Sequence, residues 1–209
     1  MSSLTPVIVT VTQAGAPNKT LNLTVLLEGL YAGNGMMNAV RDASGYHYGS
    51  AIADQITVEL HDATTYSTII YTVSSVNLST SGLATVTIPP AYTGSYYLTI
   101  KHRNSLKTVS STAVSFASNT IAYNFTDGSA KAFGGNLQSS GDGKWVIYSG
   151  DVNQDDAINT TDMTVIETAS GSFSTGYVNT DITGDGVVDM NDLTVADNNS
   201  SLTITAITP

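Results

Sequence analysis

Two acidic segments near the C-terminus contain the side chains whose types and spacing most clearly point to chemistry. They span residues 151–162 and 181–192, and their starts lie 30 residues apart. When each segment is numbered from 1 to 12, side-chain oxygens stand at positions 1, 3, 5, 9 and 12, and an apolar residue stands at position 8. A single Asp-rich turn is common, whereas two copies that agree at six positions indicate a repeated ligand-binding loop.

This pattern suits a hard cation that takes oxygen ligands. Calcium binds six to eight oxygens at about 2.3–2.6 Å, and a short loop can supply them by pointing alternate residues inward, with a backbone carbonyl at position 7. We therefore predict two bound Ca²⁺ ions. The predicted ligands are Asp151, Asn153, Asp155, Ala157, Asn159 and Asp162 in the first loop and Asp181, Thr183, Asp185, Val187, Asp189 and Asp192 in the second.

The remaining loop positions add detail to this prediction. Position 6 favours glycine because its φ is positive, and Gly186 meets this requirement while Asp156 replaces glycine in the first loop. Position 8, Ile158 or Val188, is expected to face the core and to pair its backbone with the other loop. The second loop has four ligand carboxylates and the first has three, so we expect the second loop to bind calcium more tightly.

The charge distribution supports a cation-binding C-terminal part. All seven Lys and Arg residues lie before position 150, where seven acids balance them, and the last 59 residues contain ten acids and no Lys or Arg. Such a segment either stays disordered through self-repulsion or folds around cations. The net charge of −10 makes nucleic acid an improbable partner, and the absence of cysteine excludes disulfides and thiolate metal sites.

The first 148 residues show the alternating pattern of short β-strands separated by turn residues. This pattern predicts an immunoglobulin-like β-sandwich over residues 1–148. The predicted strands are 20–27, 56–60, 69–78, 84–88, 96–100, 109–116 and 121–125. Residues 31–53 have no clear period and are expected to form a long irregular loop.

The C-terminal part, residues 149–209, has a different pattern. Apolar residues with helical spacing follow each acidic loop, which predicts two short helices. Phe173 and Tyr177 are expected to pack between these helices. Residues 202–207 alternate again and are expected to return as a strand against the sandwich.

The sequence shows no segment that would span a membrane and no signal peptide at the N-terminus. We expect the chain to be a fragment of a longer protein or a mature form with an added Met1. The low charge and the abundance of Ser, Thr, Asn and Gly favour a bacterial protein that is secreted or held at the cell surface.

We do not expect an enzyme. The three histidines are scattered, no nucleophile-elbow motif is present, and nothing places Glu28 and Glu59 together as the carboxylate pair of a glycosidase. His61 and Asp62 are expected to be structural. Carbohydrate remains open as a ligand, because Tyr46 and Tyr48 in the irregular loop could form part of a stacking platform.

In and around the two loops, the chain resembles the type I dockerin family. The residues that carry the resemblance are Gly150–Asp155 and 177–186, within a match of about residues 148–199. The resemblance implies a secreted bacterial module in which each of two calcium loops, EF-hand-like in form, is followed by a helix. The β-region also looks like a domain that accompanies such modules in exported bacterial proteins.

The resemblance further implies docking onto a cohesin-like β-domain or a neighbouring subunit. The matching recognition positions, 10 and 11 of each loop, are Thr160, Thr161, Met190 and Asn191. These two pairs differ from each other, which departs from the near-symmetric pairs that permit docking in two orientations. Three interpretations remain open: a docking module, a calcium-rigidified segment of an adhesin or fibre, and a carbohydrate-binding sandwich in a polysaccharide-associated protein.

Overall fold

The computed structural model describes residues 15–209. The predicted absence of a signal peptide, and the first 14 residues of the predicted 1–148 domain, therefore lie outside the described residues. Fourteen strands and two α-helices occur in the described part. The strands are β1 Lys19–Thr24, β2 Tyr31–Gly33, β3 Met36–Met37, β4 Arg41–Asp42, β5 Gly45–Tyr46, β6 Ile52–Asp62, β7 Ile69–Ser79, β8 Leu83–Ile88, β9 Ser95–Lys101, β10 Thr108–Val109, β11 Val114–Ser115, β12 Thr120–Asn124, β13 Gln138–Ser139 and β14 Trp145–Val146.

Two sheets build the β-sandwich. One has the order β12–β1–β8, with β1 parallel to β12 and antiparallel to β8. The other has the order β10–β9–β6–β7, with β11 also paired to β9. Alternate residues of the strands are buried in one continuous core, as in β1, where Leu21 and Leu23 are buried and Asn22 is exposed. The prediction of a mainly β fold with a sandwich is confirmed.

The predicted strand at 109–116 forms two short pieces instead of one. Ser110 lies between them, and its hydroxyl accepts a hydrogen bond from the Leu98 amide at 3.0 Å, in place of a backbone carbonyl. The next amide, that of Ser111, donates to the Lys131 carbonyl at 3.0 Å and so leaves the sheet. A side chain that competes for ladder hydrogen bonds therefore interrupts this edge strand.

The predicted irregular loop at 31–53 contains two small hairpins. β2 pairs with β3, and β4 pairs with β5. Both hairpins have short strands of two or three residues. The region is therefore more ordered than the sequence pattern indicates, and it lies beside the second acidic loop, where the Arg41 amide donates to the Gly184 carbonyl at 2.9 Å.

Each acidic loop leads into a helix, as predicted. Helix α1 spans Thr160–Gly171 and α2 spans Met190–Ser200. Both begin with a capping box, in which Asn159 or Asp189 is the N-cap residue and the position-12 aspartate bonds back to the N-cap amide. The helices pack on a small apolar cluster that includes Ile166. No helix within residues 15–209 is long and apolar enough to cross a bilayer.

Candidate metal centre

In the first loop, backbone amides orient the carboxylates at positions 1 and 12. Asp151 Oδ1 accepts from the Asp155 amide at 3.1 Å. Asp162 Oδ1 accepts from the Val152 amide at 2.9 Å and from the Asn153 amide at 3.2 Å, and its Oδ2 accepts from the Asn159 amide. The loop is therefore wrapped around its first and last carboxylates.

The second loop repeats this arrangement. Asp181 Oδ1 accepts from the Gly184 amide at 2.9 Å, and Oδ2 accepts from the Gly186 amide at 3.1 Å. Asp192 Oδ1 accepts from the amides at positions 2 and 3, at 2.8 and 2.9 Å, and Oδ2 accepts from the Asp189 amide. Two segments with only partly similar sequences thus adopt the same fold around equivalent carboxylates.

These four aspartates are buried without an ion-pair partner among the described residues. Asp151 is 1% exposed, and Asp162, Asp181 and Asp192 are 0% exposed. Within residues 15–209, none of the four forms an ion pair with Lys, Arg or His. Ionised carboxylates are costly to bury unless a positive charge compensates them. A cation inside each loop would compensate these charges.

Burial has a marked effect on the pKa values of these carboxyls in the absence of a cation. Burial, together with the negative charge of Asp162, raises the pKa of Asp151 to about 7. Burial raises the pKa of Asp181 to about 6, although the nearby Arg103 charge opposes the change. The pKa values of Asp162 and Asp192 are also raised by burial. Burial is the largest cause of the raised pKa in all four carboxyls, because it disfavours the ionised form.

The other predicted ligands lie nearer the surface. Asn153, Asp155, Asp185 and Val187 are exposed, while Ala157, Asn159, Thr183 and Asp189 are partly buried. No group of three or more His, Asp or Glu side chains between residues 15 and 209 forms a set that could hold a metal ion. The three aspartates predicted as ligands in the first loop and the four in the second are therefore not gathered into such a set, and the other predicted ligands are Asn, Thr and backbone oxygens. Calcium binding stays a prediction.

Position 6 of the first loop has a role that the loop pattern does not reveal. Asp156 adopts φ 71°, close to the 88° of Gly186, so aspartate takes the left-handed conformation that usually requires glycine. Its Oδ2 lies 2.6 Å from Nζ of Lys107 in the sandwich. Aspartate at this position therefore ties the first loop to the β-domain, which a glycine could not do.

The prediction that the two loops pair with each other at position 8 is wrong. The Ile158 amide donates to the Ile204 carbonyl at 2.9 Å, and the Val188 amide donates to the Ser174 carbonyl at 3.0 Å. Both side chains are buried, as expected. Each loop therefore pairs with a different segment that follows a helix.

The C-terminal tail is the partner of the first loop. Besides the Ile204 contact, the Ala206 amide donates to the Asp156 carbonyl at 2.8 Å. The tail also reaches the sandwich, where the Asn136 side-chain amide donates to the Thr205 carbonyl at 2.9 Å. The predicted return of residues 202–207 is thus a short β-bridge to the loop with a side contact to the sandwich.

Phe173 and Tyr177 do not pack between the helices, contrary to the prediction. Phe173 is 87% exposed. Tyr177 instead packs against the sandwich, with its ring stacked on His47 at 4.1 Å between centroids and its hydroxyl donating to Asp54 Oδ1 at 2.7 Å. The aromatic residues after α1 therefore face outward or join the two parts of the chain.

Asp54 is the centre of the junction between the sandwich and the C-terminal part. Its buried carboxylate contacts His102 Nε2 at 2.9 Å and Arg103 Nε at 3.0 Å, in addition to Tyr177. Burial would raise the pKa of Asp54, but the hydrogen bond to His102 and the charges beside it outweigh burial and hold the pKa well below its usual range. Arg103 also donates through Nη1 to the Val178 carbonyl.

A second contact joins the end of α2 to the sandwich. Glu28 Oε2 accepts from the Asn199 side-chain amide at 2.6 Å and from the Ser149 amide at 2.9 Å. Asn199 is buried and also donates to the Ser149 carbonyl at 2.8 Å. Glu28 and Asn199 thus hold α2 against the β-domain.

The predicted partner-binding residues lie on the surface. Thr160, Thr161, Met190 and Asn191 are all exposed at the starts of the two helices, and Met190 is 66% exposed. None of them is covered by the sandwich. The starts of both helices are therefore accessible to another molecule.

The side chains weighed for catalysis make structural contacts. Glu59 bonds to His61 Nε2 at 3.0 Å, whereas Glu28 lies at the junction described above. Asp54, His102 and Ser105 form a hydrogen-bonded chain, with His102 Nδ1 2.9 Å from the Ser105 hydroxyl. This serine is buried and shares its hydroxyl with Ser149, so it has no surface from which to attack a substrate.

The tyrosines considered as a sugar platform are mostly engaged. Tyr48 packs edge-on against His47 and Tyr177 at the junction. Tyr46 is exposed, but the Arg41 guanidinium lies over its ring at 4.6 Å. Tyr48 is thus packed at the junction and one face of Tyr46 is covered by Arg41, so the two rings do not form a shared platform.

No protein-family model matches the chain, and no curated protein matches it. It is similar to two solved structures, described as an N-terminal and a C-terminal interface mutant of a type II Cohesin-X-Dockerin complex from Acetivibrio cellulolyticus. The C-terminal mutant gives a TM-score of 0.50 at 18% identity, and the N-terminal mutant gives 0.49 at 20%. Both matches cover 88% of this chain and 98% of the other. Identities this low show similarity of fold alone.

Proposed function

We propose that this chain is a non-catalytic, calcium-binding docking module of a secreted or cell-surface bacterial protein. In this proposal residues 1–148 form an immunoglobulin-like sandwich, and residues 149–209 form a dockerin-like module that holds two Ca²⁺ ions. The module attaches a larger polypeptide to a cohesin-like domain or a neighbouring subunit. Calcium supplies positive charge to the loops and fixes the starts of the two helices.

The burial of four aspartates that form no ion pair carries the calcium part of the proposal. Asp151 and Asp162 in one loop, and Asp181 and Asp192 in the other, would repel each other if ionised. A divalent cation inside each loop removes this repulsion, and ligand binding to the native state alone adds stability to it. The same pair of buried carboxylates, at positions 1 and 12, occurs in both loops.

The exposed helix starts support the docking part. Thr160 and Thr161 offer hydroxyl groups, whereas Met190 and Asn191 offer an apolar side chain and an amide. Because the two surfaces differ chemically, we expect a partner to bind in a single orientation. The similar solved structures come from complexes whose description names a cohesin and a dockerin, which favours a partner of the cohesin type.

The docking proposal can be tested by a pull-down with cohesin-like domains. We expect capture in excess Ca²⁺ and its loss in EDTA. Met190→Lys is expected to weaken capture by at least about tenfold, the scale of a contact worth ~1.4 kcal/mol at an interface centre. Leu83→Lys is the matched control, because Leu83 is an equally apolar, exposed side chain on the sandwich. Equal capture by the two variants would contradict the proposal that Met190 belongs to the docking surface.

The junction favours a second candidate, a calcium-rigidified segment of an adhesin or fibre. The contacts of Asp54 and Glu28 hold the C-terminal part rigidly against the sandwich, which a purely structural segment would need. A chain that captures no cohesin-like domain yet stiffens with Ca²⁺, as measured by small-angle scattering, would support this candidate.

Binding on a glycan array that is lost in Tyr46 and Tyr48 variants would support a carbohydrate-binding sandwich instead.

A further inference from the structure

One connection of the sandwich contacts both acidic loops. It is the segment 103–107, between β9 and β10. Near the first loop, the Asn104 carbonyl accepts from the Gly150 amide at 2.7 Å, and Lys107 pairs with Asp156. Near the second loop, Arg103 donates to the Val178 carbonyl. The two loops therefore share a support that belongs to the other part of the chain.

Asn104 occupies the central position in this support. It is 1% exposed, and its side-chain amide donates to the Asp181 carbonyl and to the Asn179 carbonyl, both at 3.0 Å. Asp181 is position 1 of the second loop. The backbone carbonyl of Asn104 holds Gly150, the residue before position 1 of the first loop. A single buried residue thus contacts the entrance of each loop.

The two loops do not pair with each other through the backbone at position 8. Position 8 of the first loop pairs with the tail, and position 8 of the second loop pairs with the segment after α1. Residues of both loops and both helices do share one apolar cluster, which includes Val152 of the first loop and Ile182 and Val188 of the second. Coupling between the loops therefore has two physical routes, through this apolar cluster or through Asn104.

We propose that Asn104 is a positioning residue that couples the two calcium loops, so that an ion in one loop raises the affinity of the other. This inference rests on the proposed calcium binding. An ion in the first loop fixes Asp151 and its neighbour Gly150, and Gly150 fixes the Asn104 backbone. The side chain of Asn104 then holds the Asp181 carbonyl in the position that the second ion requires. Ligand binding to either loop is coupled in both directions, as thermodynamic linkage demands.

The test begins with calorimetric titration of calcium-stripped protein with CaCl₂. Wild type is compared with Asp151→Asn and Asp181→Asn, each of which leaves one intact loop. If the loops are coupled, each remaining loop binds its ion about fivefold or more weakly than it does in wild type with the other loop filled. This comparison needs no change at Asn104, so it decides whether coupling exists even if Asn104 variants fold poorly.

The same three titrations are then repeated in the Asn104→Ala background. We expect the coupling to fall to within about twofold and the second loop to lose affinity. Asn22→Ala is the control, because it removes an exposed side-chain hydrogen bond, donated by Thr85, that joins β8 to β1 within the sandwich. The control is expected to keep the wild-type coupling.

The outcomes separate this inference from the proposed function. Wild type that binds two ions independently overturns the coupling while leaving calcium binding intact. Coupling that persists in Asn104→Ala assigns it to the apolar cluster shared by the loops and helices and overturns the role of Asn104. Wild type that binds no calcium overturns the proposed function, and this inference with it.

Discussion

At the scale of single residues, the position of a carboxylate in the loop determines how it titrates. Asp151 and Asp181 have folded-state pKa values of about 7 and about 6, because they are buried. Their unfolded pKa is about 3.9. Between these values the folded state without calcium binds more protons than the unfolded state, so the stability that these two carboxyls contribute is fully present below about pH 3.9 and is lost as the pH rises through 6 and 7.

We therefore predict different pH dependences with and without calcium. In calcium-stripped protein, the free energy of unfolding should fall between pH 5 and pH 8, since the raised carboxyls must ionise in place. In saturating CaCl₂ it should stay nearly constant, because the ligand carboxylates are ionised over this range both in the calcium-bound native state and in the unfolded state. Urea denaturation at each pH measures both slopes. A stripped protein that becomes more stable over this range would contradict the prediction.

A substitution at Asp151 isolates the contribution of one carboxyl. Asp151→Asn should flatten the fall in stability above pH 6 in stripped protein and should remove the gain from calcium at the first loop. Asp197→Asn, which removes the same charge from an exposed position on α2, should change neither. Denaturation of the two variants side by side measures the difference, and identical behaviour would show that burial is not the cause.

The sequence pattern singled out the four aspartates that the structure buries, but it did not predict the partner of Asp156. The spacing of ligands within twelve positions is local, so burial of positions 1 and 12 follows from the loop pattern. The ion pair with Lys107 joins residues 49 positions apart. A periodic pattern does not predict such a distant contact. The one sequence feature that points to it is Asp156 at position 6, where the second loop has glycine.

At the scale of elements, the C-terminal tail, residues 202–207, is bonded to the first loop. Ala206→Pro removes the amide that donates to the Asp156 carbonyl. We expect calcium affinity at the first loop to fall about fivefold, in line with the loss of one hydrogen bond worth ~1 kcal/mol. Ala206→Ser keeps the amide and should keep the affinity. Titration of Ala206→Pro in the Asp181→Asn background reads the first loop alone.

The two loops should also differ in intrinsic affinity. The second has four ligand carboxylates and the first has three, because Asp189 stands where the first loop has Asn159. Ligand charge is one of the factors that tunes calcium affinity. Calcium should therefore bind more tightly to Asp151→Ala, which keeps the second loop, than to Asp181→Ala. Equal or reversed affinities would contradict this ranking.

The elements were predicted well wherever a period was strong. Strands such as β7 and β8 begin within a residue of their predicted starts, and both helices follow their loops. Prediction failed where side chains took over backbone bonds, as at Ser110 in the interrupted edge strand. It failed also at position 8, since the backbone partner of Ile158 depends on the path of a tail that the pattern does not specify.

At the scale of the whole molecule, a close approach between the two parts should make their stabilities interdependent. A Cβ on Gly29 would lie 2.4 Å from the Ile182 carbonyl oxygen in the second loop. Gly29→Ala should therefore force the junction apart and lower the free energy of unfolding by about 1–3 kcal/mol. Thermal unfolding in saturating calcium measures this loss.

Gly171→Ala is the matched control, because a Cβ there meets nothing within 4 Å. It lies at the end of α1, where alanine is compatible with the helix. Equal melting temperatures for Gly29→Ala and wild type would show that the two parts are not held together at this point.

The junction is the feature of the molecule that the sequence least revealed. Composition and charge separate a neutral β-region from an acidic C-terminal part, and the sandwich and the helices follow from their periods. The contacts that join the parts, such as Asn199 with Glu28 across 171 positions, are single polar pairs. Isolated polar residues in a chain rich in Asn and Ser give no pattern that would identify them.

Crystallography of the chain in excess calcium chloride would show directly whether the two loops bind calcium, because calcium scatters anomalously. We predict two anomalous peaks, one inside residues 151–162 and one inside residues 181–192, each within about 2.3–2.6 Å of the position-1 and position-12 carboxylates. Buried aspartates that still bond only to backbone amides, with no peak in either loop, would contradict this prediction.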